Sequence, residues 1–384
     1  MNAKFLSAVL AFSLGCTALA SAQKRFKVNL HEGEMKVRKI LAEKAAKEGK
    51  TLPHTQAAAS SGTVPYWSGT INYAGYQFPF TMLGTDPKKG PATTVIPIYV
   101  IPVKLVLPDG SVWDPAKVAV PNRVNAIGAT INSPIFGKSN WNDGGVNLGY
   151  TQYTDAFQRG SFWQDLQAGG ANYHVLFQPV LRREVEWDVP ANLGGQTPGA
   201  ADGGNMAEID INWFDEQQQN YIASADVPGN VLPFFLTYNT CEGQFDGIEL
   251  SGCFAGAYHS TTFTANQPYL NAPWEGFVPD LFILSHELGE TLGDPFTNNV
   301  SPCWFDTNME TGDPVESFGM TVPFAGYTYN LEDLVFYDWF TANYPAKHSV
   351  NRQYTFLGVY KYPCSGTLTA PALNAVFGPP PASK

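Results

Sequence analysis

Apolar and polar positions alternate from Val64 onward, with Trp67, Gly69, Ile71 and Tyr73 on one side, which predicts a half-buried strand. Thr93 to Leu107 is apolar almost throughout, as in a strand covered on both faces. Pro97 and Pro102 lie inside that run and cannot donate to a ladder, which predicts a bulge or a sheet edge. Asp109-Gly110 marks a turn. Tyr153 to Gln167 places its aromatics at helical spacing and predicts a helix with an aromatic core face. Tyr173 to Val189 reads as a hairpin or one long strand, with His174 as a structural residue inside it. Gly194 to Gly204 reads as a loop without phosphate-binding spacing, and Asp210 to Ser224 as a helix. Val231 to Tyr238 reads as a strand, and Pro233 marks it as an edge where a substrate backbone could pair. Pro279 to Leu284 is apolar on all sides and runs into a polar motif, which predicts a buried helix ended by Gly293-Asp294-Pro295. The sum is an α+β fold with a mixed or antiparallel sheet, the aromatic-, glycine- and proline-rich composition favouring strands and ordered loops.

The formal charge of −11 argues against nucleic acid as a partner. That charge is uneven: residues 1–56 hold ten of the 23 Lys and Arg but only four of the 34 acids. Glu34 to Lys50 carries Val37, Ile40, Leu41 and Ala45 along one side and predicts an amphipathic basic helix. An Ala/Ser-rich linker, His54 to Gly62, follows. Residues 23–62 are read either as a basic pro-segment that docks on an acidic body and covers its site, or as a tethered surface helix or leader. Upstream, Lys4, the apolar run Phe5 to Leu19 and Ala20-Ser21-Ala22 form a secretory signal over 1–22, too short for a membrane span. The chain is therefore expected to be secreted, with one domain over 63–369 and a disordered tail over 370–384. Without 1–22, four cysteines remain, and an even count in an exported chain implies two disulfides. The expected pairs are Cys241–Cys253, which closes a short loop, and Cys303–Cys364.

The candidate chemistry lies in Ser285-His286-Glu287-Leu288-Gly289-Glu290. In H-E-x-x-H, ligands at i and i+4 share one helix face and the intervening Glu is the base for a metal-bound water. His286 and Glu290 hold the ligand positions here, Glu287 the base position, and a carboxylate is an acceptable zinc ligand. A catalytic zinc takes three protein ligands and an open position. Glu310 ranks first as the third and Asp313 second; Asp294 ranks as an acceptor that orients His286. His259 reads as a ligand, as a donor to a tetrahedral intermediate, or as a structural residue. No G-x-S-x-G elbow occurs, and spacing alone selects no carboxylate pair for glycoside hydrolysis.

The stretch His286 to Asn299, with the turn Glu310-Thr311-Gly312-Asp313, resembles a group of exported bacterial proteins with a HExxE-xxx-DP segment followed by Glu-x-Gly-Asp. More faintly, Gly293 to Asn299 is similar to a segment of the plant exordium/phosphate-induced family. The resemblance implies a zincin-like catalytic fold with His286 and Glu290 as ligands, Glu287 as base and Glu310 as third ligand. Zincins proper carry His where Glu290 stands, and the metzincin spacing leads to Phe296. The expectation is a secreted, disulfide-stabilised hydrolase that binds one Zn2+ and cuts a peptide or protein substrate. The alternative is a non-catalytic secreted or cell-surface binding protein with a structural metal site. A carboxylate glycosidase is a weaker third.

Overall fold

A computed structural model of the chain describes residues 23–25, 30–47, 49, 62–170, 172–225, 227–263, 265–302 and 308–364. The expected signal segment, most of the linker, the tail and Cys303, half of the second expected disulfide, lie outside the described residues.

The chain forms a mixed α+β fold around a seven-stranded sheet. The elements that position the site are, in chain order, α1 (Leu30–Lys47), β1 (Tyr66–Tyr73), β2 (Tyr76–Leu83), β3 (Ala92–Val106), α2 (Tyr153–Ser161), β4 (Tyr173–Leu181) and β5 (Val185–Asp188). There follow β6 (Gly194–Pro198), β7 (Asn205–Asp210), α3 (Ile211–Ser224), β8 (Leu232–Tyr238), β9 (Thr240–Gly243), β10 (Tyr258–Thr261), β11 (Pro268–Trp274), α4 (Phe282–Gly293), β12 (Phe318–Phe324) and β13 (Tyr327–Glu332). The sheet runs β10-β11-β8-β3, and both β4 and β5 pair with the far side of β3. All these pairs are parallel except β10 with β11, and the seventh strand, Val112–Trp113, pairs antiparallel with the end of β3.

Side-chain alternation along β3 sorts the core into two layers. Ile96, Ile98 and Val100 face one side, where Phe282, Leu284, Leu288 and Leu292 of α4 pack. Ile101, Val103 and Leu105 face the other, against Val37, Ile40 and Leu41 of α1 and Ile211, Phe214 and Ile222 of α3. Every residue of α4 is buried. Its glycines are places of close approach: a Cβ on Gly289 would lie 2.6 Å from Leu334, and one on Gly293 would lie 2.8 Å from Thr311.

Several expectations are corrected. β3 and β8 are interior strands, not edges, despite Pro97, Pro102 and Pro233. Successive strand residues direct their backbone groups to opposite neighbours, so each proline removes one bond on one side while the rest of the ladder stands. Tyr173 to Val189 is no hairpin: β4 and β5 both run parallel to β3, as one interrupted strand. The glycine-rich segment is half of a β-hairpin, β6 with β7. The expected helix over 153–167 breaks at Phe162 into two. Pro279 precedes the helix it was expected to open, which begins at Phe282. The Cys241–Cys253 disulfide is present. Among the described residues no helix is long and apolar enough to cross a membrane.

Gly289→Ala tests the packing of α4. Alanine favours a helix by about 1 kcal/mol over glycine, but overpacking a closed core costs about 1–3 kcal/mol. Leu334 is wholly buried and meets the new methyl with three of its carbons. The expected net result is a loss of roughly 1 kcal/mol in urea unfolding; a gain would show that Leu334 moves aside freely.

Candidate metal centre

The i,i+4 spacing on α4 puts His286 Nε2 3.2 Å from Glu290 Oε2. Ser285 works alongside them structurally: its hydroxyl donates to Phe282 O and accepts from Glu332 N at 2.8 Å, tying the end of β13 to the helix. That tie brings Glu332 Oε2 within 2.7 Å of His286 Nδ1. The acceptor that orients His286 is thus Glu332, not Asp294, whose carboxylate instead accepts from the backbones of Asn298 and Asn299.

The turn Glu310 to Asp313 closes over the helix. Glu290 Oε1 accepts from the backbone N–H groups of Gly312 and Asp313, both at 3.2 Å, which leaves Oε2 toward the imidazoles. Asp313 Oδ1 lies 3.8 Å from His286 Nε2. Gly312 permits this approach, since a Cβ there would sit 2.3 Å from the His286 ring.

His259 enters from β10. Tyr258 points to the α1 and α3 side, where Gln218 donates to its hydroxyl at 2.7 Å, and alternation sends His259 to the α4 side. Its Nε2 donates to the Asp294 carbonyl at 3.1 Å. Its Nδ1 lies 3.4 Å from Glu287 Oε2 and 3.8 Å from Glu290 Oε2, and Nε2 lies 3.6 Å from Glu310 Oε2. Two groups therefore place three ligand atoms within 4.8 Å of one another: His286, Glu290 and Asp313, and His259, Glu290 and Glu310. The six side chains expected at the site converge, and Glu290 is common to both groups.

All of them are buried, none more than 6% exposed. Burial pulls the His286 pKa down, but the charges of Glu290 and Glu332 and their hydrogen bonds outweigh it and hold it well above the usual histidine range. Glu332 is pushed up to about 8 by burial, against the pull of His286. Glu242 on β9 is held well above the carboxylate range, by burial first and the nearby Glu287 charge second. Asn271 donates to its Oε1 at 3.1 Å. Sequence reading found neither Glu242 nor Glu332: they stand 45 and 46 positions from their partners on α4, Glu287 and His286, at strand positions typical of core residues, with no motif around them. His174, expected to be structural, pairs with Asp155 of α2 at 2.8 Å, away from this cluster.

No known protein family, curated protein or solved structure matches the chain.

Metal uptake should be pH-dependent, because His286 ligates only when neutral. Its charged form is favoured by the surrounding carboxylates, so any cation taken up at Nε2 would have to displace a proton, and affinity should fall as pH falls. Glu332→Ala removes one of the carboxylates that hold this proton and also the acceptor that orients the ring. Titration calorimetry should show zinc binding about 10–100-fold weaker at high pH but a shallower loss toward low pH. An unchanged pH profile would show that Glu332 does not act through His286.

Proposed function

We propose that the chain is a metal-dependent hydrolase of zincin-like type, most simply a zinc peptidase, with its ion held by His286, Glu290 and Asp313. The observation that carries this reading is the arrangement of the buried imidazoles. Each has one nitrogen on a hydrogen-bond acceptor, Glu332 for His286 and the Asp294 carbonyl for His259. The other nitrogen of each faces two carboxylates. A neutral ring donates from one nitrogen only, so the second calls for a proton or a cation. A tetrahedral zinc with bonds of about 2.1 Å keeps its ligand atoms about 3.4 Å apart, close to the 3.2 and 3.8 Å between His286 Nε2 and its two carboxylate partners.

Bound zinc supplies Lewis-acid polarisation of a carbonyl and a water acidic enough to ionise near neutral pH. Glu287, next to the Glu290 ligand side and 3.4 Å from His259, takes the proton from the attacking water and returns it to the leaving amine. His259 orients that carboxylate. Asp313 serves as third ligand because it approaches His286, while Glu310 approaches His259. A substrate backbone would pair along β10, the terminal strand of the sheet, which carries His259; β8 has both edges taken. Export rests on the Ala20-Ser21-Ala22 signal and accords with the Cys241–Cys253 disulfide.

Elemental mass spectrometry should find about one zinc per chain, lost in His286→Ala and Glu290→Ala. Glu287→Gln should keep the zinc while peptide hydrolysis drops by about 10²–10⁴-fold. No metal after zinc is offered at neutral pH would sink the reading. Zinc retained without turnover on a broad peptide library would favour the non-catalytic binding protein, a reading consistent with the near-complete burial of the site.

A further inference from the structure

A hydrolase whose reacting groups are all buried admits a peptide only if something moves. The element that meets the site from outside the sheet is α1. It packs on both β10 and the Asp313–Val315 turn, the two segments that deliver His259 and Asp313. From it the Arg38 guanidinium forms an ion pair with Glu310, and its charge also acts on Asp294. The rest of the helix is fitted to its seat. Val37, Leu41 and Ala45 are buried. Lys44 Nζ donates to Asn212 O at 2.9 Å and lies 3.8 Å from Asp215. Lys36 Nζ stands 4.0 Å over the Phe254 ring, just past the disulfide loop. Gly33 lies so close to the Phe254 carbonyl that a Cβ would come within 1.8 Å of its oxygen.

We infer that His259, Glu290 and Glu310 form a subsite for a guanidinium, and that Arg38 of α1 fills it as a tethered stand-in for a basic substrate side chain. This rests on the peptidase reading and extends it. Two carboxylates and an imidazole meet there out of water, with Glu287 beside them, and such an arrangement favours a cation. The planar fork of an arginine suits Glu310, and the acidic body favours basic ligands in general. The helix therefore holds the site closed, and the substrates are peptides that present arginine or lysine to Glu310 once α1 has left.

The test replaces residues 53–58 of the full chain with a site-specific protease sequence and cuts it. The expected results are release of α1 on size exclusion and retention of the folded circular-dichroism signal by the body. A labelled peptide of residues 30–47 should then rebind. Arg38→Glu in that peptide should weaken rebinding on the order of a hundredfold, and Arg38→Lys should restore part of it. In the uncut chain, Gly33→Leu should speed amide exchange across α1 with Arg38 intact. Cut chain should turn over arginine-bearing peptides and be inhibited by the 30–47 peptide. Arg38-dependent rebinding without any turnover would sink the peptidase reading and leave the occupied subsite standing. Loss of the folded signal on cutting, or equal binding of the Arg38→Glu peptide, would overturn this inference by making α1 a structural part of the core.

Discussion

Charge taken out of water is the constraint on which this molecule turns. Glu287, Glu290, Glu310, Asp313 and Glu332 converge on two imidazoles at the junction of α4, β10 and β13, and all are at least nine-tenths buried. A buried carboxylate is tolerated when it is paired, protonated or bound to a cation. The protein uses each means in turn. Backbone N–H groups of Gly312 and Asp313 hold one oxygen of Glu290. Glu242 and Glu332 are raised toward their neutral forms. Arg38 brings a positive charge to Glu310.

The scaffold around the cluster makes that concentration of charge tolerable. α4 is apolar on the side facing the sheet, and Leu284, Leu288 and Leu292 anchor it in the main core. Glycines at 289 and 293 leave room for Leu334 and Thr311 to pack directly on the helix, and Gly312 lets the turn close on the His286 ring. The cost of burying the acids is offset by a large aromatic and aliphatic core on both faces of one sheet. The terminal position of β10 matters as well. It leaves that strand paired on one side only, and α1, which packs on the sheet face that holds Tyr258, touches it there.

Much of this was legible in the sequence where local pattern and chemistry coincide. The i,i+4 spacing of His286 and Glu290, the all-apolar lead into α4 and its stop at Gly293-Asp294 are properties of contiguous residues. The amphipathic face of α1 is equally local, and Val37, Ile40, Leu41 and Ala45 are its buried positions. The disulfide between Cys241 and Cys253 followed from a short loop. Proline misled in β3 and β8, because a residue that lacks one donor says nothing about how many neighbours its strand has.

What the sequence by itself determined is the helix that carries the His-Glu-Glu motif, the basic helix ahead of the body and the inventory of groups able to ligate a cation. Which of those groups meet was decided only by the tertiary structure. Glu332 reaches His286 through the Ser285 tie to β13, His259 arrives by strand alternation at the sheet edge, and Arg38 crosses 272 positions of chain to Glu310. The physical reason is one of range. Helix periodicity and turn chemistry act over a few residues, whereas the partners of a buried charge are chosen by how the strands are ordered, and that order is set by long-range packing.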